Sequence, residues 1–385
     1  MLFAPDLLQQ ARTSSGLNDY GDMAFAEGLQ VLVDAINAEA HLTPANEARY
    51  RAELLRLLEN RLRMQSELVA HPEILDEEIL PPVFITSLPR TGSTKLHRML
   101  GASGDFNAMK FWQAYHFARF ANDAPASGPD PRIAATESYL RELRQWAPQY
   151  MESHPMYAEE TEEEHILLDA GFNSLYQHAA FLNVPSYIGW VMTLDRHAMF
   201  EDLRRMLQYL QWQHHRGTKR RWILKTPGLL GTEATLAEVF PGTDFIVTHR
   251  HPVQTMASTA ALFAGTLEMY NEVVDKRMAG EVMLASFGVT MQRHLEWRAA
   301  YPAEKVRDVR FGDVVDHEFD VLTSLYDFLG IAFTERSRAN VRAWLAMDAE
   351  RHDTPRKFTL AEFGLDEAKV NATFAGYLAR YRDYL

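Results

Sequence analysis

A short loop between an apolar run and a helical run carries side chains suited to holding a phosphate. The run Val83–Ser87 predicts a buried strand, and the loop SLPRTGST at 87–94 leads from it into a helix. The first turn of a helix offers unpaired N–H groups and partial positive charge, which favour a bound phosphate. The predicted ligands in this loop are Arg90, Thr91, Gly92, Ser93 and Thr94.

The loop can be compared with the nucleotide P-loop, GxxxxGK[ST], whose length, second glycine and final hydroxyl it shares. Ser87 stands at the first glycine, and Ser93 stands where the P-loop has its lysine. That lysine reaches the β- and γ-phosphates of a bound nucleotide. The loop therefore suits a single phosphate group better than a triphosphate with Mg²⁺. A nucleotide kinase or NTPase remains the alternative enzyme class.

A second phosphate-binding element is indicated after the apolar run Phe245–Thr248. Arg250 follows this run, and Pro252 suits the first position of a helix that carries Ser258. The planar guanidinium matches phosphate oxygens, and a serine hydroxyl can complete the site. The alternative is an ion pair between Arg250 and Asp244, with Ser258 facing solvent.

Taken together, these segments resemble the sulfotransferase family. The matching segments are PRTGST at 89–94, WILKTP at 222–227, FIVTHRHP at 245–252 with Ser258, NRLR at 60–63, and RKFTLAEFGLDEAKV at 356–370. The last two match a bacterial branch with a helical N-terminal region, so the resemblance covers almost the whole chain. It implies 3′-phosphoadenosine-5′-phosphosulfate (PAPS) as sulfuryl donor, its product PAP, a small-molecule hydroxyl acceptor and no metal.

The resemblance also implies roles for the basic residues. The loop at 89–94 would bind the phosphosulfate, and Arg250 with Ser258 would bind the 3′-phosphate. Arg90 and Lys225 would act in catalysis, because cations stabilise the negative charge that builds on the leaving oxygen. The alternative for Lys225 is a side chain at a strand end that reaches solvent.

The general base is where the sequence departs from its relatives. Cytosolic sulfotransferases carry a catalytic histidine directly after Lys-Thr, where this chain has Pro227. The bacterial branch often has a histidine two residues later, where this chain has Leu229. The base must therefore come from another segment, or the chain is a non-catalytic anion-binding relative.

The acidic run EETEEEH at 159–165 is the alternative source of a base. It resembles the Pro-Glu-Glu-Asp pattern of the bacterial branch, with threonine in place of proline. Several like charges raise a carboxyl pKa, which suits a general base. The candidates, in order of preference, are Glu163, Glu162 and His165. The plainer interpretation is a solvated helix start, because acids favour the first turn.

A helix through the acidic run would divide its side chains between two faces. Glu163 would then share an inward face with Leu167 and Ala170, while Glu160 and Glu164 would face water.

Aromatic and methionine side chains are dense in two stretches, 106–117 and 150–215. Most are expected to form core, and some could line an apolar pocket for the acceptor. The sequence therefore favours a hydrophobic alcohol or phenol as acceptor. One of these aromatic residues is Tyr176.

Composition narrows the class of protein. The chain has 385 residues, a formal net charge of −13 and no cysteine. The charge argues against a nucleic-acid partner, and the absence of cysteine excludes disulfides and thiolate metal sites. No signal peptide and no transmembrane segment are predicted. A cytoplasmic protein is expected, with the oligomeric state left open and a homo-oligomer among the alternatives.

The apolar runs predict the fold. Short runs at 83–87, 222–225, 245–248 and 306–311 are separated by helical segments. This alternation predicts an α/β, P-loop-like three-layer sandwich with a central, mostly parallel sheet. We expect a helical N-terminal region over 1–78 and an α/β domain over 79–385, with a helical insertion at about 145–215 and a turn-rich loop at 120–131. The sequence leaves open whether Arg356 and Lys357 reach the donor.

Overall fold

The computed structural model describes residues 1–120, 128–175, 177–351 and 357–385. Residues 121–127 of the predicted loop, Tyr176 and Arg356 therefore lie outside the described residues.

The helices and strands alternate along the described chain. The α-helices are α1 Ala4–Ser15, α2 Phe25–Ala35, α3 Pro44–Ala70, α4 Ser93–Ser103, α5 Phe111–Tyr115, α6 Pro131–Trp146, α7 Pro148–Ser153, α8 His165–Leu168, α9 Gln177–Phe181, α10 Pro185–Val191, α11 Arg196–His214, α12 Glu233–Val239, α13 Pro252–Glu268, α14 Lys276–Ala300, α15 Phe311–Asp316, α16 Glu318–Leu329, α17 Glu335–Ala349, α18 Glu367–Thr373 and α19 Ala375–Arg380. The strands are β1 Val83–Thr86, β2 Ile223–Lys225, β3 Asp244–His249 and β4 Val306–Arg310.

The four strands form one parallel sheet in the order β2-β1-β3-β4. Phe84 of β1 is paired with Leu224 of β2 and with Phe245 of β3. The predicted α/β class with a parallel sheet is confirmed, and the strands differ from the predicted runs by one or two residues at their ends. Every residue of β1, β2 and β3 is buried, as expected for parallel strands covered on both faces.

By the contacts among its residues, the chain divides into two compact units. The first contains residues 1–78, 109–217 and 265–274, and the second contains residues 79–108, 218–264 and 275–385. The first unit is helical, and its helix α3 has a capped N-terminus. Thr43 caps α3 by accepting from the Asn46 backbone N–H at 3.2 Å, and Pro44 is the first helical residue. The domain boundaries drawn from the sequence stay a prediction.

The second unit holds the sheet and the phosphate-loop candidate. The apolar side of α4 packs in a buried cluster with β1 and with α17. The cluster includes Ile85, Leu96, Leu100, Val341 and Trp344. This packing fixes the direction of α4, so its first turn is held at the carboxyl end of β1.

Candidate active site

The loop between β1 and α4 turns sharply at two residues with left-handed backbone. Arg90 has φ 67° and Gly92 has φ 85°. Gly92 is the N-cap of α4, and a Cβ there would come 3.1 Å from the Phe311 ring. A non-glycine residue in this region carries strain of about 1–3 kcal/mol, which persists where surrounding structure enforces it. Strain at Arg90 is typical of a functional loop.

The Thr91 side chain links the loop to strand β3. Its hydroxyl donates to the Leu88 carbonyl at 2.8 Å and lies 2.7 Å from the Thr248 hydroxyl of β3. Thr91 is fully buried. Its hydroxyl therefore stabilises the loop, and any contact with a bound anion falls to its backbone.

Arg90, Arg250 and Ser258 are brought together by the fold. The Arg90 Nε donates to the Ser258 hydroxyl at 3.0 Å, and the Arg250 guanidinium donates to the Arg90 carbonyl at 3.1 Å. The Phe311 ring centre lies 3.9 Å from the Arg250 guanidinium carbon, a cation–π contact. Burial lowers the pKa of both arginines, and the charge of Arg90 lowers the Arg250 pKa further. Two cations this close favour an anion beside them.

The alternative partner for Arg250 is excluded. Asp244 forms ion pairs with Arg221 at 2.6 Å and with Lys305 at 3.2 Å. Ser258 is partly buried against Arg90 and does not lie free in solvent.

Lys225 ends β2 and points into the protein. Its side chain is 1 % exposed, and its Nζ donates to the Thr94 hydroxyl of α4 at 3.1 Å. The alternative of a lysine that reaches solvent is therefore wrong. Because β2 pairs with β1, the lysine is held beside the first turn of α4, the helix that follows the loop.

Two buried hydroxyls near these residues were not singled out from the sequence. The Ser87 and Thr226 hydroxyls are each 2 % exposed, and neither has a hydrogen-bond partner among the described residues. A buried hydroxyl left unsatisfied costs about 1–3 kcal/mol. Thr226 lies inside the matched segment 222–227, and Ser87 lies two residues before the segment 89–94, which was the available signal. The Ser87 and Thr226 hydroxyls are suited to a site in which a bound ligand supplies acceptor oxygens.

Residues 227–229 supply no base. They form a single 3₁₀ turn in which Leu229 is fully buried. Pro227 and Leu229 are both apolar, so the segment that carries histidine in relatives offers no side-chain proton acceptor here.

The acidic run lies in the first unit and is not a helix. Its backbone forms hydrogen bonds with residues at the start of α5 and just before it. The Phe111 N–H donates to the Glu160 carbonyl, and the Glu162 N–H donates to the Met109 carbonyl, both at 2.9 Å. Helix α8 begins only at His165 and has four residues. The predicted helical face is therefore wrong, and so is the exposure of Glu160 and Glu164, which are 7 % and 0 % exposed.

Two carboxylate–imidazole pairs form in this segment. His165 Nδ1 lies 3.2 Å from Glu163 Oε2, and His154 Nε2 lies 3.7 Å from Glu162 Oε1. The Glu162 carboxylate also accepts from the Glu163 backbone N–H at 3.1 Å. Burial acts to lower the pKa of His165, but the hydrogen bond and charge of Glu163 outweigh it and raise that pKa above 6.5.

An aromatic pocket adjoins these pairs within the first unit. Its polar lining is His154, Glu162 and His165, and its walls include Phe111, Tyr115, Tyr139, Tyr150 and Phe181. Tyr115 stacks on Tyr139 with ring centres 4.3 Å apart. The open volume is about 30 Å³, which holds about one water molecule. Glu163, the preferred base in the sequence analysis, is not among the lining residues and contacts the lining through His165.

Comparison with known families decides the class of protein. The sequence model described as "Sulfotransferase family" matches residues 81–335, which is more than half of the chain. The chain belongs to the sulfotransferase family. This membership makes the protein a sulfotransferase enzyme and excludes the kinase and NTPase alternative.

Two solved structures resemble this sulfotransferase over nearly its full length. Sulfotransferase STF1 from Mycobacterium tuberculosis H37Rv has 28% sequence identity and a TM-score of 0.77, with 97% of this chain and 99% of that chain covered. Sulfotransferase STF9 from Mycobacterium avium has 24% identity and a TM-score of 0.86, with 99% and 97% covered, and shows the same fold. No curated protein matches the sequence.

The described residues contain neither a helix suited to cross a membrane nor a cluster of side chains suited to hold a metal ion. None of the helices in residues 1–120, 128–175, 177–351 and 357–385 has the length and apolar content needed to cross a bilayer. Within the same ranges, no group of three or more histidine and carboxylate side chains is placed to hold a metal ion.

Proposed function

We propose that this sulfotransferase takes the sulfuryl group of PAPS and transfers it to a hydroxyl of a small hydrophobic acceptor. The observation that carries the donor proposal is the cluster of Arg90, Arg250 and Lys225 around the first turn of α4. In a protein with a net charge of −13, such a local concentration of one buried and two partly buried cations calls for an anionic ligand.

The donor has two anionic ends, and the cluster offers groups for both. Arg250 and Ser258 would bind the 3′-phosphate, with a planar guanidinium matched to phosphate oxygens. The backbone of the loop from Arg90 to Thr94 would bind the 5′-phosphosulfate at the start of α4. The unpartnered hydroxyls of Ser87 and Thr226 support a ligand rich in acceptor oxygens.

Transfer needs cations aimed at the oxygen that leaves. In-line attack by the acceptor hydroxyl on sulfur breaks the bond from sulfur to the bridging oxygen, which gains negative charge. Lys225, assisted by Arg90, would stabilise that charge without an added metal. Its hydrogen bond to Thr94 holds the ammonium group in one place.

The acceptor hydroxyl must lose a proton, and the acidic segment is the proposed source of the base. Of the three candidates, the pocket lining favours Glu162, which has His154 beside it. Glu163 pairs with His165 and does not itself line the pocket. Glu163 and His165 remain as the second and third candidates.

The aromatic walls of the pocket support a hydrophobic acceptor such as a phenol or an apolar alcohol. Stacked rings bind flat apolar surface, and the His154–Glu162 pair would meet a hydroxyl. The small open volume means that side chains must move when an acceptor enters.

We propose in addition that residues 79–385 form the catalytic domain, since the family match begins at residue 81. We also propose that the enzyme is cytoplasmic, which its lack of cysteine fits.

The proposal is tested by a turnover assay with PAPS and a panel of phenols and aliphatic alcohols. We expect PAP to form only when an acceptor is present, and apolar acceptors to be preferred over sugars of similar size. PAP formation with sugars alone would contradict the acceptor class, and no PAP with any acceptor would contradict the donor.

A further inference from the structure

A tyrosine near the C-terminus contacts the residue directly before Arg250. Tyr377 lies in α19 and is 2 % exposed. Its hydroxyl lies 3.1 Å from Nδ1 of His249, the last residue of β3. The nearby Arg250 backbone opposes the rise that burial causes in the Tyr377 pKa. The Tyr377 side chain thus contacts the last residue of β3 and lies close to the backbone of the next residue.

His249 is fixed from its other side as well. Its Nε2 lies 2.9 Å from an oxygen of Asp308 in β4, and the second Asp308 oxygen lies 3.5 Å from the Arg298 guanidinium. The imidazole stacks on Tyr381 with ring centres 4.1 Å apart. Burial lowers the pKa of His249 against the opposing effect of Asp308, so the ring is neutral at physiological pH.

Because the His249 ring is neutral, its hydrogen bonds with Tyr377 and Asp308 each have one direction. The Asp308 carboxylate only accepts, so Nε2 of His249 carries the proton and Nδ1 carries the lone pair. The Tyr377 hydroxyl therefore donates to Nδ1. The order of donation runs from Tyr377 through His249 to Asp308.

These hydrogen bonds affect the position of the Arg250 guanidinium. Its side chain extends from the residue directly after His249, donates to the Arg90 carbonyl and lies over Phe311. Those two contacts set the far end of the side chain, and the fixed His249 ring sets the position of its backbone. A guanidinium fixed at both ends loses little freedom when an anion binds.

We propose that Tyr377 is a positioning residue for the donor: by fixing His249, the residue directly before Arg250, it holds Arg250 in place for the 3′-phosphate. The C-terminal helix α19 is then part of the donor-binding apparatus, although none of its side chains needs to touch the donor. This inference rests on the proposed role of Arg250 in donor binding.

The test compares two tyrosines of the same segment by calorimetry with PAP, on the full-length protein. Tyr377→Phe removes the hydroxyl that contacts His249. Tyr381→Phe is the matched control, since it removes a buried hydroxyl 3.0 Å from His294 and keeps the ring stacked on His249. We expect about fivefold weaker PAP binding for Tyr377→Phe, the size of one lost hydrogen bond, and less than a twofold change for Tyr381→Phe.

Two further measurements separate positioning from general stability. The KM for the acceptor and the melting temperature are measured for both variants, and we expect acceptor KM to stay at the wild-type value in each. Asp308→Asn is a second variant that keeps the shape of the side chain. Its amide can donate to Nε2 and so reverse the ring tautomer, and we expect it to weaken PAP binding as Tyr377→Phe does.

The outcomes are distinct. Equal weakening of PAP binding by Tyr377→Phe and Tyr381→Phe, or wild-type binding by Tyr377→Phe, overturns the positioning role. Arg250→Ala is measured alongside. If Arg250→Ala weakens binding while Tyr377→Phe and Asp308→Asn do not, only the present inference fails. If Arg250→Ala binds PAP as the wild type does, the proposed donor site fails and this inference fails with it.

Discussion

Arg90 and Ser258 lie 168 residues apart in the chain, and the arginine Nε donates to the serine hydroxyl at 3.0 Å. This bond joins the loop before α4 to helix α13, the two segments assigned to opposite ends of the donor. Both are therefore oriented before a ligand arrives, which lowers the entropic cost of binding.

The two arginines of this cluster are expected to dominate donor affinity. Arg90→Ala and Arg250→Ala should each weaken PAP binding by about 2 kcal/mol or more, because truncation removes one side of a partly desolvated charge pair. Calorimetry at a fixed salt concentration gives the measurement. Arg221→Ala is the control, since Arg221 pairs with Asp244 in the same unit. Wild-type affinity in both arginine variants would refute the assignment.

Lys225 is expected to act on the rate more than on donor binding. Lys225→Ala should lower kcat by about 10²-fold or more, the size seen when a group that stabilises a transition state is removed. PAP affinity should change less. The matched control is Lys95→Ala, because Lys95 lies on α4 but pairs with Glu318. A Lys225→Ala enzyme with normal kcat and lost PAP binding would reassign this lysine to binding.

The base is tested with three variants at saturating donor. Glu162→Gln should lower kcat by about 10²–10⁴-fold on an aliphatic alcohol, the usual contribution of proton transfer. Glu163→Gln and His165→Ala should lose less, and Glu160→Gln controls for the loss of a buried carboxylate that does not line the pocket.

Two results would change this assignment. If His165→Ala is inactive while both glutamine variants at 162 and 163 keep wild-type kcat, the base is His165. If all three variants stay active, the base lies outside the acidic segment.

Two partly buried histidines in the first unit should make stability fall in mild acid. Burial, with the nearby charge of Arg56 for His116 and of Arg132 for His214, lowers both pKa values to about 3. The unfolded chain binds these protons near pH 6.5, so below that pH each group favours unfolding by up to about 1.4 kcal/mol per pH unit. The raised pKa of His165 acts in the opposite sense.

The measurement is the free energy of unfolding by urea between pH 7.5 and 5.5. We expect it to fall across this range, and to fall less steeply in His116→Gln and His214→Gln. An unfolding free energy that is constant or rises towards pH 5.5 contradicts the partly buried, neutral histidines.

The sequence was most informative where structure is local. The apolar runs located all four strands to within one or two residues, because buried parallel strands leave continuous apolar segments. The loop at 87–94 was identified for the same reason, since a strand, a glycine-containing turn and a helix start are adjacent in the chain.

Long-range pairing explains what the sequence did not reveal. The acidic run was expected to be helical, but its backbone bonds to residues near Lys110, about fifty positions earlier. The four glutamates from 160 to 164 are buried for the same reason, whereas Glu159 is exposed. Asp244 pairs with Arg221 and Lys305 rather than with its neighbour Arg250. Nothing in the sequence indicated that Tyr377 would reach His249, 128 residues away.

The central claim is that the loop and its cations bind phosphoadenosine phosphate without metal. It is tested most directly by calorimetry of the wild-type protein with PAP and with ATP, each in EDTA and in Mg²⁺. We expect PAP to bind at one site per chain with equal affinity in both buffers, and ATP to bind more weakly. Tighter binding of ATP that requires Mg²⁺, or no binding of PAP, would contradict it.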